Sequence, residues 1–232
     1  MAKTIISSII NDLQDTEKSM TDIMLRVRVL ADDINAPELV EWVKAELNGY
    51  NQSEVPEYRI INGHVKGTII QGVHSMSNVS IPYSHLGPEL MREFSTFTIN
   101  HSIGYIEHVL KQEDLTQLNY PWPAEVCGYL SSQMKKIGNP MRVLDARIIG
   151  DKNGLQNIIS VIRSKMLELM LELRRNLKNL DKWNEEDTEL DIAPIQSTVQ
   201  KFITQMHITN YGHGAVFNSG DKNKFDIENQ AD

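Results

Sequence analysis

Apolar residues along the chain fall into two rhythms, and the rhythm predicts the elements. Residues 155–180 carry the clearest one: Leu155, Ile159, Ile162, Met166, Leu169, Leu173, Leu177 and Leu180 recur in steps of three and four. That spacing lays one stripe along a helix about 40 Å long. Ile158, Met170 and Leu171 widen the stripe, so a core helix accounts for it better than a two-position coiled-coil seam to a second chain. Residues 4–31 show the same rhythm and read as one long amphipathic helix. A second helix opens at Pro37 and stops at Asn48-Gly49, and the short connection implies an antiparallel hairpin of the two.

From residue 58 the rhythm changes. Residues 58–73 alternate and are β-branched, and Asn62-Gly63 between two such runs predicts a hairpin turn. A short strand is expected at 79–83. Helices are expected at 86–94, 102–111 and 124–137, with an extended approach at Tyr120-Pro121-Trp122-Pro123. Residues 141–149 read as a strand leading into the long helix. The whole predicts a helix-rich α+β chain: long amphipathic helices on a small antiparallel sheet. It divides as a domain at 1–183, an acidic linker at 184–191, a helix at 192–206, and a Gly/Asn-rich tail at 207–232 of short β-type pieces. So few tail strands cannot form a core. If ordered, Tyr211, Val216, Phe217, Phe225 and Ile227 would pair with neighbouring copies.

Composition narrows the chemistry. The chain has 232 residues and a net charge of −8. That balance argues against nucleic acid and against an anionic membrane as partners. The single cysteine, Cys127, fits a reducing compartment and reads as buried and inert. No phosphate loop, dinucleotide fingerprint, nucleophile elbow or zinc spacing is present, so no cofactor, metal ligand or catalytic residue is assigned. His101, Glu107 and His108 are the members an unrecognised hydrolase site would draw on, although His101 and His108 lie two helical turns apart.

Several separated strings, WVKAELNGY (42–50) with PEYR (56–59) above all, together resemble the AbiTii domain over residues 1–183. The resemblance implies a bacterial, cytoplasmic protein of abortive-infection defence against phage, and carries over no catalytic residue. The residues in these strings support two readings. Trp42, Tyr50, Tyr58 and Arg59 read as helix-to-sheet packing with one satisfied guanidinium, while Glu46, Tyr50, Glu57 and Arg59 could instead line a recognition surface. The expectation is a homo-oligomeric defence component that binds a phage or host product. The alternatives are a toxic nucleotide or nucleic-acid hydrolase and a regulatory module completed by a partner protein.

Overall fold

The computed structural model describes residues 2–50, 55–180 and 193–207. Three helices come first: α1 (Ala2–Gln14), α2 (Met20–Asp33) and α3 (Pro37–Asn48). The single helix expected over 4–31 is therefore two. The apolar stripe keeps its phase across the break, because Leu13 and Met20 are seven residues, two turns, apart. The polar residues between them turn instead: the Asp15 side chain accepts from Glu17 N–H at 3.0 Å, and Ser19 caps α2 by accepting from Asp22 N–H. The connection from α2 to α3 is short, and those two helices pack as the expected hairpin.

A single 3-10 turn, Glu57–Arg59, leads into β1 (Ile60–Gln71), the strand on which the sheet is built. Next come β2 (His74–Ser80), α4 (Pro88–Ser95), β3 (Thr96–Thr98), α5 (Ile103–Leu110), β4 (Gln117–Pro121), α6 (Ala124–Lys136) and β5 (Arg142–Asp151). The sheet order is β2-β1-β5-β4, all antiparallel, and β3 pairs with the first residues of β1. Asn62-Gly63 is not a turn, since β1 runs straight through it. A Cβ on Gly63 would sit 2.6 Å from the Ile148 side chain and the Ile149 carbonyl oxygen, so that glycine admits β5 rather than reversing the chain. The reversal falls at Gly72-Val73, where Gly72 adopts φ +63°.

The inner face of the sheet carries Val65, Ile69, Val143, Ala146 and Ile148, all buried, and α6 covers it with Leu130 and Met134. Cys127 is buried there as expected, and burial pushes its thiol above the usual range. The long helix α7 (Asn153–Leu180) leaves the end of β5 and runs against α1 and α5. Ile158, Ile162, Met166, Met170 and Leu173 are buried, so its broad stripe faces this chain's own core. Helix α8 (Ala193–His207) closes on α7 and α3 with Ile195, Val199, Phe202 and Met206. The acidic linker 184–191 and the tail beyond residue 207 lie outside the described residues, and with them Tyr211, Val216, Phe217, Phe225 and Ile227.

Candidate functional site

The densest polar constellation sits where α3 hands over to the sheet. Helix α3 ends because Gly49 takes φ +90°, a conformation that disfavours side chains, and because a Cβ there would meet Asn100 O at 2.7 Å. Tyr50 N–H then donates to the same carbonyl at 2.7 Å. Pro56 fixes the extended approach, and the 3-10 turn aims Tyr58 and Arg59 back at the last turn of α3.

Glu46 from that turn meets them. Both Glu46 and Arg59 are 0% exposed and form an ion pair, with Arg59 Nε and Nη2 each donating to the carboxylate. Tyr50 and Tyr58 hydroxyls donate to Glu46 Oε1, the former at 2.6 Å. Arg59 Nη1 donates to the carbonyls of Ile99 at 3.0 Å and His101 at 2.7 Å. Trp42 Nε1 donates to Tyr58 OH at 3.2 Å, and the Trp42 ring meets Phe202 of α8 edge-on at 5.1 Å. Buried charges persist only when paired and hydrogen-bonded, and here the carboxylate and all three guanidinium nitrogens are used.

The electrostatics follow. Burial, then the Glu46 carboxylate, raise the Tyr50 and Tyr58 pKa values well above the ordinary tyrosine range. Burial, the largest single influence, opposes the charge on Arg59, but Glu46 and the two tyrosines together outweigh it and the guanidinium pKa is raised. The network is a closed polar hub. In this structure Glu46 and Arg59 are buried and turned to one another rather than to solvent. Tyr50 is half-buried at the rim, with its ring 4.8 Å from the guanidinium carbon of Arg59. Glu57 is half-buried and outside the network.

The residues raised for a hydrolase do not converge. His101 is exposed and stacked on Tyr105, and His108 is exposed beside Gln112. Glu107 caps α2: its carboxylate accepts from Ser19 Oγ at 3.0 Å, Thr21 Oγ1 at 2.7 Å, and the Met20 and Thr21 N–H groups. A negative charge there also complements the helix dipole. Arg163 of α7 answers it from the other side, donating to the carbonyls of Asp12, Leu13, Asp15 (2.8 Å) and Lys18 (2.7 Å) at the end of α1. This clasp over the α1–α2 turn went unseen in the sequence; Ser19 three residues before Asp22 was its one local signal. No group of three or more His, Cys, Asp or Glu able to hold a metal ion occurs among the described residues.

Comparison with known proteins gives one match. The family model described as AbiTii matches residues 4–198, which reaches into α8. No curated protein matches the chain, and no solved structure does either.

Proposed function

We propose that this chain, which belongs to the AbiTii family, is a component of abortive-infection defence against phage in the bacterial cytoplasm. In this reading it works by binding and self-association rather than by catalysis. Family membership over most of the chain is the observation that carries the defence reading. The binding reading draws support from how the polar groups are used. Glu46, Arg59 and Glu107, the residues with the chemistry to serve a site, are each taken up in holding helices together.

Self-association is assigned to the C-terminal tail, through Tyr211, Val216, Phe217, Phe225 and Ile227. Helix α8 is anchored on the hub through Phe202 and Trp42, so a tail engaged by a neighbouring copy pulls on a fixed point of the body. The captured molecule is a phage or host product, and the chain needs no cofactor for this role.

The test is a phage challenge of bacteria carrying the intact gene or a version truncated after Met206, scoring plaques and culture survival. Light scattering on the two purified proteins runs alongside. The intact gene should reduce plaque number, and truncation should lose both protection and assembly while the body stays folded. Full plaque numbers with the intact gene would sink the defence reading. A truncated protein that still protects and still assembles would remove the tail from it.

A further inference from the structure

The sheet has a second face. Alternation along the strands puts His64, Lys66 and Thr68 of β1, and Arg142, Asp145 and Arg147 of β5, on the side away from α6. All are exposed or half-buried, and every residue of β2 beside them is exposed except Val79. In the register of the sheet Lys66 stands directly opposite Arg147. Like charges placed this way oppose strand pairing. No ion pair relieves them: among the described residues Lys66, Arg142 and Arg147 make none, and Arg147 has only the neutral Asn78 Oδ1 at 3.0 Å. Two acids of β1 and β5 share this side, Asp145 opposite Thr68 and, at the end of β5, Asp151 opposite Gln117 of β4. Three cations against two acids, the second at the strand end, make this face cationic around Lys66 and Arg147 in a chain of net charge −8. No Phe, Tyr or Trp of β1 or β5 lies on it, and the His64 imidazole is the one ring these two strands place there, which disfavours a run of stacked bases as the occupant.

The same chain carries the complementary charge. Residues 181–191, DKWNEEDTELD, hold six acidic residues against one lysine, so −5 of the total −8. Helix α7 meets the sheet at its first turn, where Gly154 lies against Ile61, and runs 28 residues, about 42 Å, before the acidic segment starts. The segment is tethered at both ends, since Asn176 of α7 donates to the Pro194 carbonyl at 3.3 Å. With twelve residues between α7 and α8, a loop that must return spans only about 20 Å outward.

We infer that the outer face of the sheet, centred on Lys66, Arg142 and Arg147, receives the acidic segment 181–191 of a second copy of this chain. Two such contacts exchanged across a two-fold axis make a closed dimer. The inference rests on the self-association proposed above but places a charged contact beside the tail contact.

Charge reversal tests it. Self-association of the full chain is measured by sedimentation at low and high ionic strength, for the native protein, for K66E/R147E, for E185K/E186K/D187K, and for all five changes combined. Each set alone should weaken association about tenfold or more, salt should weaken the native protein, and the combined protein should recover. A labelled peptide of residues 181–191 should bind the native protein and not K66E/R147E, which keeps the test open if a variant folds poorly. Association unchanged by K66E/R147E but lost on truncation after Met206 would overturn the sheet contact and leave the tail reading standing. So would a combined variant that fails to recover, or single-stranded RNA bound by the native protein in place of the peptide. A monomer under all conditions would remove both.

Discussion

The hub at Glu46 and Arg59 and the clasp at Glu107 and Arg163 use the same two charged groups in opposite ways. In the hub the carboxylate and the guanidinium face each other, out of water, with the two tyrosine hydroxyls and two backbone carbonyls taking up their remaining hydrogen bonds. In the clasp each ion faces a helix end: Glu107 takes up N–H groups opening α2, and Arg163 donates to the carbonyls closing α1 and lining the turn, those of Asp12 and Asp15 also accepting backbone N–H groups. Water still reaches the clasp. The difference shows that a buried ion pair mainly raises the cost of losing one member, whereas an ion at a helix end specifies where the chain turns.

The largest expected effect separates the two. Arg59→Leu strands the Glu46 carboxylate in the core and should cost about 3–5 kcal/mol, lowering Tm by roughly 10 °C. The double variant Glu46→Leu/Arg59→Leu should be less destabilised than Arg59→Leu alone, and thermal unfolding of the full mutant cycle measures this; strict additivity would break the comparison. Alkaline pH comes next. Tyr50 and Tyr58 stay protonated in the folded chain while unfolded tyrosines ionise near pH 10. The stability they contribute is therefore complete below about pH 10 and falls as pH rises beyond it. Ultraviolet titration should show these two ionising only with unfolding, and Tyr58→Phe should shrink the loss.

Glu107→Ala should cost about 2 kcal/mol, since it leaves two backbone N–H groups and two hydroxyls to water. Arg163→Met should cost about 1 kcal/mol, and amide exchange should rise at residues 15–20 before it rises elsewhere. His101→Ala and His108→Ala should change stability by less than about 0.5 kcal/mol and leave phage protection intact. Protection lost in a histidine variant that still accumulates would reopen the hydrolase reading.

The contrast also explains what could be read in the sequence. The hub was legible in part, as helix-to-sheet packing around a satisfied guanidinium, because Trp42, Tyr50, Tyr58 and Arg59 fall within one short stretch with local punctuation, while Glu46, the guanidinium's partner, belonged to the other reading. Most helix limits and β5 were legible for the same reason. The clasp was not: its charges arrive from α5 and α7, and the apolar stripe stays in phase across the turn they hold. Gly63 misled because the pattern alone does not distinguish a glycine that turns the chain from one that lets two strands approach. Strands β3 and β4 are too short for a rhythm to show. The cationic sheet face was hidden because Lys66, Arg142 and Arg147 become neighbours only through β-pairing.

Arg163 reaches back 151 residues to the Asp12 carbonyl, and that distance is also a delay on the ribosome. At about 5–20 residues per second, α1 is complete roughly 8–30 s before α7 exists to receive it. Through that interval Ile6, Ile9, Ile10 and Leu13 have α2 beside them but lack the α7 part of the surface they will finally bury against. A nascent chain halted before α7 therefore carries an uncovered apolar helix and is a client for chaperones, so the last long helix sets when the first becomes safe from aggregation.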